Sequence, residues 1–336
     1  MKRCIYLLLL LIISKANAQE NINYQKPSSE ILELVDVSLA PSVLIDENKD
    51  FLILRYRDAF KTIAELSEEE LRLGGLRINP KTNIGSRTNY YNNLKLIKLK
   101  SKNLVAQQIA GLPENPRLAN FSWSPDQKKI AFTNTTNKGV ELWVLNLQNL
   151  SSKKISNAKV NANMHDVINW FEDSKSLLVK MVSEDRRELI DTENSIPTGP
   201  TISINEGSKA QNRTYQDLLK NKNDEYNFEQ LALSDLYKIS IDGSQEKWLD
   251  GAMYEGISFS PDGNYVMITT IEKPFSYLVP YGRFPSKTNI YSSTGKMIQT
   301  VLEVPLIEEL PKGFMAERTG RRDLSWRDDK PASLIL

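Results

Sequence analysis

Chemistry needs particular side chains at particular spacings, and this 336-residue sequence holds few of them. An acyl-transfer nucleophile of the α/β-hydrolase kind requires a Gly-x-Ser-x-Gly elbow, an acid and a histidine. No Gly-x-Ser-x-Gly occurs, and the single histidine, His165 beside Asp166, reads as structural. One histidine and one cysteine, Cys4, cannot assemble a zinc set. No loop has EF-hand spacing, and neither phosphate-cradling glycine loop is present. The expectation is therefore no catalytic residue, no metal and no cofactor. Neighbouring carboxylates such as Glu308 and Glu309 do not converge and read as solvated charge. What remains is recognition. Arg213, Tyr277 and Arg283 stand in segments that break the pattern of the rest. Arginine suits a carboxylate-bearing ligand through paired N–H···O bonds. These three are the candidate substrate-binding residues, with salt bridges that pin loops to the scaffold as the alternative role.

The elements that would position them come from a repeat. An aromatic residue, then Ser, Pro or an acidic residue, Asp, a short polar turn and an apolar strand recur. The unit is Phe121 to Asp126 followed by Lys129 to Phe132, and again Asn169 to Asp173 followed by Ser176 to Val179. It returns as Ser258 to Gly263 with Tyr265 to Ile268, and as Leu324 to Asp329 with Ala332 to Leu336. A weaker first copy is Ala40 to Asp46 with Asp50 to Leu54. Pro-Asp-Gly is turn chemistry: a preset φ, a side-chain acceptor and a residue at ease with positive φ. Alternating strands flank these hairpins at Asn93 to Leu99, Glu141 to Leu147, Asp235 to Ile241 and Asn289 to Ser293. Two hairpins per period make a four-stranded antiparallel unit. Trp123 to Trp170 spans 47 residues, the length of one propeller blade. The expected fold is all-β: an incomplete β-propeller of roughly five to six blades with short helical insertions. A β-sandwich with a chance repeat is the alternative.

Three stretches interrupt the repeat. In 59–88, Ser67 and Glu70 fit a capping box for a short helix over Glu68 to Leu73, stopped by Gly74-Gly75. In 184–232, Pro197, Gly199, Pro200 and Gly207 suggest a surface arm, Thr214 to Leu219 a short amphipathic helix, and Phe228 to Leu233 a return to strand. In 272–287, aromatics and prolines crowd together, and the prolines exclude a central strand. Packing between blades is the expected fate of that aromatic surface.

Composition bounds the rest. Hydrophobic residues make up 40% and charged residues 25%, as in a globular protein. Lys2 and Arg3, the apolar run Ile5 to Ile13 and the small residues Ala16 and Ala18 form a signal-peptide pattern. Residues 1–18 read as the leader, with cleavage between Ala18 and Gln19, and 19–336 as the propeller domain. Export to the periplasm or outside is expected. The formal charge falls from +1 to about −2 without the leader, so nucleic acid is not an expected partner. Cys4 precedes the apolar run, so a lipid anchor is not expected, nor is a membrane partner after leader removal.

Specific segments carry a family resemblance. They are Arg213-Thr214-Tyr215-Gln216-Asp217-Leu218-Leu219 with Asp224-Glu225 and Phe228-Glu229, and Pro274-Phe275-Ser276-Tyr277-Leu278-Val279-Pro280-Tyr281 with Arg283-Phe284-Pro285. With them go Glu70-Leu71-Arg72-Leu73, Gly75 to Pro80, and Ser325-Trp326-Arg327. In order and spacing the sequence resembles the N-terminal propeller portion of the S9 (prolyl oligopeptidase) family, in its glutamyl endopeptidase-like branch. The resemblance implies a secreted serine peptidase in which the propeller screens peptide substrates and a C-terminal α/β-hydrolase domain holds the triad. No triad residue has a counterpart here. The expectation is a gating part, inactive alone, from a truncated or split product ending mid-blade at Leu336. Its partners would be peptides and a separately encoded hydrolase domain. A stand-alone periplasmic propeller that binds peptides or proteins, and a non-functional truncated gene product, are the alternatives.

Overall fold

At the Asp turns of the repeat, the carboxylate accepts backbone amides of the residues that follow and so closes the hairpin. In the computed structural model, Ser124 Oγ donates to Asp126 Oδ1 (2.6 Å), and that oxygen also accepts from the Lys128 amide (3.1 Å). Ser260 and Asp262 repeat the arrangement at 2.6 Å, with the Asn264 amide at 3.1 Å. In the degraded copy Asp173 Oδ1 accepts from the Lys175 and Ser176 amides at 2.7 and 2.9 Å. The turn position with positive φ is filled by Gln127 (55°), Ser174 (53°) and Gly263 (68°).

The structure describes residues 25–191, 199, 214–311, 313 and 316–336. The expected leader, its cleavage point at Ala18 and Gln19, and Arg213 lie outside the described residues. The chain divides into two units, Met1–Leu39 and Ala40–Leu336. The first carries helix α1 (Ser29–Val35), which buries no residue.

In the second unit, β1 (Ser42–Ile45) pairs with β2 (Phe51–Tyr56). An insertion follows with helix α2 (Ile63–Leu66) and the small sheet β3 (Leu71–Leu73), β4 (Leu76–Asn79) and β5 (Ile84–Gly85). Then β6 (Asn93–Lys98) and β7 (Gln107–Gln108) complete the first four-stranded sheet. The second sheet is β8 (Leu118–Trp123), β9 (Lys129–Thr136), β10 (Gly139–Asn146) and β11 (Ser151–Lys154). The third is β12 (Ile168–Trp170), β13 (Ser176–Val182), then, after helix α3 (Lys222–Ala232), β14 (Ser234–Ser240) and β15 (Gln245–Ala252). The fourth is β16 (Tyr254–Phe259), β17 (Tyr265–Ile271), β18 (Ser286–Ser292) and β19 (Met297–Val304). A hairpin, β20 (Ser325–Trp326) with β21 (Leu334–Ile335), follows.

Every four-stranded sheet is an antiparallel meander in chain order, which is a propeller blade. Among the described residues there are four such blades and the opening hairpin of a fifth, at the lower edge of the expected number. Blades are tied by the repeat residues themselves. Trp170 Nε1 donates to the Ser122 carbonyl (3.1 Å), and Trp326 Nε1 to the Ser258 carbonyl (3.2 Å). The Asp126 amide donates to Ser174 Oγ (3.0 Å) of the next turn. Between sheets lie apolar layers: Val140, Leu142 and Val144 of β10 meet Trp170, Leu177 and Val179 of the following blade, all buried.

Two local expectations are corrected. The capping box belongs to Thr62 and Glu65 on α2, and Leu71–Leu73 is a strand. Gly74 and Gly75, at φ 60° and 90°, make the two-residue hairpin turn between β3 and β4, in which Leu73 pairs with Leu76. A Cβ on Gly75 would lie 2.8 Å from Pro280 Cβ, so the close approach also demands glycine. Thr214 to Leu219 forms no helix; the helix is α3, and Phe228 to Leu233 lead from it into β14. Asn221 caps it by accepting from the Asp224 amide (2.9 Å), and Asp224 and Glu225 sit in its first turn.

Candidate functional site

A meander fixes where its connections emerge. First-to-second and third-to-fourth turns share one end of a blade; second-to-third loops and the links to the next blade share the other. The three interruptions are all second-to-third connections: β2 to β6, β13 to β14 and β17 to β18. They therefore gather at one end, opposite the Asp turns.

There they pack into one apolar cluster. Leu73 and Ile78 of the first insertion, Leu219, Phe228 and Leu231 of the second, and Val279 and Phe284 of the third are all buried together. Phe228 takes Phe275 and Phe284 edge-on, at centroid distances of 5.2 and 5.6 Å. The aromatic run thus covers α3 rather than lying between blades, which corrects the expectation. Backbone bonds join the pieces: the Gly75 amide donates to the Asp217 carbonyl (2.8 Å) and the Tyr281 amide to the Gly74 carbonyl (2.7 Å). Arg77 Nε pairs with Asp217 Oδ2 at 2.6 Å. Lys273 Nζ reaches Glu229 at 2.7 Å on α3. Asn161 and Asn163, on the link into the third blade, donate to the Leu231 carbonyl at 3.0 and 2.8 Å.

The sequence candidates meet different fates in this assembly. Tyr277 donates its hydroxyl to Glu225 Oε1 of α3 at 2.5 Å. Burial and that carboxylate neighbour both push its phenol pKa up. Arg283 ends the 3-10 turn Tyr281–Arg283 that approaches β3. Its guanidinium lies over the Tyr215 ring, 5.1 Å from the centroid. The two residues are half-buried.

A second polar group, missed in the sequence, sits at the same end. Lys180 of β13 is fully buried, and its Nζ donates to the His165 carbonyl and, at 3.4 Å, to the Tyr254 carbonyl. Burial drives its pKa down to about 7, while Asp166 and Glu255 oppose the fall. Burial pushes the Glu255 carboxyl up, with His165 and Lys180 acting against it. Asp166 Oδ2 also accepts from the Ile257 amide (3.1 Å), fastening the link to the fourth blade. His165 itself is exposed, and its contribution here is a backbone oxygen. The only sequence signal for Lys180 was a lysine inside an apolar β-branched strand. The arrangement sets polar groups on a buried apolar base.

No protein-family model matches the chain. Among curated proteins it is 32% identical over 326 residues to a probable chloroplastic glutamyl endopeptidase of Oryza sativa subsp. japonica. It is 29% identical over 322 residues to the Arabidopsis thaliana protein of the same description. These alignments take in 93% of this chain but 34% and 33% of the relatives, so the chain spans about a third of their length. Among solved structures, the acylaminoacyl peptidase of Pyrococcus horikoshii covers 81% of this chain and 33% of its own, at 14% identity and a TM-score of 0.42.

Proposed function

Since the chain belongs to the S9 (prolyl oligopeptidase) family, in its propeller portion, we propose that it is the substrate-gating part of an exported serine peptidase and is not catalytic on its own. The observation that carries the reading is the convergence of all three insertions into one packed platform at one end of the blades. A rigid scaffold that presents long loops at one end is how repeat folds build binding faces. The sequence supplies no Gly-x-Ser-x-Gly and a single histidine, which supports a part that handles peptides without cutting them. The glutamyl endopeptidase description of the relatives supports peptides as the substrate class. Export rests on the leader pattern of residues 1–18.

The test is anisotropy of labelled ten-residue peptides titrated with the purified chain, beside a labelled folded protein and a fluorogenic cleavage assay. Saturable peptide binding, no capture of the folded protein and no cleavage are expected. Cleavage that survives removal of contaminating proteases, or equal capture of the folded protein, contradicts the reading.

A further inference from the structure

A protease cuts where backbone can be lifted free of its own hydrogen bonds. Basic residues at the blade turns are held against that. Lys128 and Lys175 sit in Asp turns, their amides bonded to Asp126 and Asp173 at 3.1 and 2.7 Å. The amides of Lys138 and Lys296 are bonded to Thr136 Oγ1 and Ser292 Oγ at 3.1 Å each. The link from β19 to β20 differs. Residues 316–323 form neither helix nor strand, and Glu317 and the run Thr319-Gly320-Arg321-Arg322-Asp323 are exposed. Among the described residues, 316–323 make no backbone–backbone hydrogen bond. Side chains alone hold them. Arg318 donates to the Thr319 and Arg321 carbonyls, and Arg322 donates to the Arg318 carbonyl (3.4 Å) and pairs with Glu317. Such solvent-exposed contacts open at little cost.

We propose that the Arg321–Arg322 peptide bond is a processing site for a trypsin-type protease, and that cutting it releases the hairpin β20–β21. A protease of that type reads an arginine side chain in an acidic pocket. Arg321 is exposed and, among the described residues, has no ion pair, whereas Arg322 is engaged with Glu317. Cutting one bond later would also place Asp323, an acidic residue at φ 54°, just after the scissile carbonyl. The step is hydrolysis: water adds across the amide, leaving a carboxylate on Arg321 and an amino group on Arg322. Release follows from how the hairpin is held. Its strands pair only at Ser325 with Ile335 and Trp326 with Leu334, and an isolated two-stranded hairpin is marginal in water. Trp326 Nε1 donates to the Ser258 carbonyl (3.2 Å), and the Asp262 amide donates to the Pro331 carbonyl (3.1 Å). Between hairpin and fourth blade lies a cleft of about 550 Å³, lined by Phe259, Pro261, Met267, Leu324 and Trp326, so their apolar faces meet incompletely. The covalent link supplies the high local concentration that keeps the hairpin seated. Without it the blade face around Phe259 and Met267 is uncovered.

Limited digestion of the whole native chain with trypsin, followed by intact-mass measurement and gel filtration, decides it. The first product should end at Arg321 and form about tenfold faster than any other cut, or more. The piece from Arg322 onward should then separate on gel filtration. A glutamate-specific protease should cut first after Glu317, because exposure selects the segment. Arg321→Gln should slow the first tryptic cut at least about tenfold with an unchanged thermal midpoint. First cutting elsewhere by either protease, or unaltered cutting of Arg321→Gln, overturns the site. Co-elution of the two pieces after complete cutting overturns the release.

Discussion

Lys180 shows how a single residue can set a property of the whole chain. It is a fully buried lysine, answered by two backbone carbonyls and by the more distant carboxylates of Asp166 and Glu255. Its folded pKa, about 7, lies below the ordinary 10.5. Between those values the unfolded chain binds more protons than the folded one, so stability rises with pH across that window. Below it the full cost of burying the ammonium is present. Denaturant unfolding at pH 7 and pH 9.5 should therefore show a more stable protein at the higher pH. Lys180→Met should flatten that difference, and an unchanged slope would show that the group does not titrate in this range. Tyr277 makes a simpler case. Tyr277→Phe removes its bond to Glu225 and should cost about 1 kcal/mol of stability by the same measurement. The partners of neither residue were legible in the sequence. A lysine in an apolar strand and a tyrosine in a proline-rich run both have partners far along the chain.

At the scale of elements, α3 is the piece around which the insertions assemble. Its buried face, Phe228, Leu231 and Ala232, has helical spacing, and its start has an asparagine cap with acidic residues behind it. Those signals were present in the sequence. The apolar run leading into β14 hid them, because helix and strand join with one intervening residue, Leu233. The misplaced capping box at Ser67 has a similar cause, because Thr62 and Glu65 carry the same spacing five residues earlier. Tertiary packing decided between them, since Leu73 is needed as a strand residue beneath Phe228. Phe228→Ala should cost about 3–5 kcal/mol and loosen the platform before the blades. Limited proteolysis would find new cuts in 71–85 and 275–285, with the blade strands still protected. Loss of all structure at once would mean that the platform and the blades form one cooperative unit.

For the second unit as a whole, Ala40–Leu336, the hairpins that open each blade were legible, because each joins a turn motif to an apolar strand. The outermost strands were not. β7, β15 and β19 are mostly exposed and show little apolar alternation, so nothing in their composition separates them from loops. Their existence follows from the blade, once three inner strands are present. The gathering of three unrelated-looking insertions at one end was also hidden in the sequence. It follows from meander topology, which sends every second-to-third connection the same way. That gathering is the central claim, and hydrogen–deuterium exchange with and without a saturating ten-residue peptide tests it most directly. Protection should appear in 71–85, 215–233 and 275–285 together. Protection at the opposite Asp turns, 124–129, 172–176 and 260–265, or in only one of the three insertions, would contradict the account.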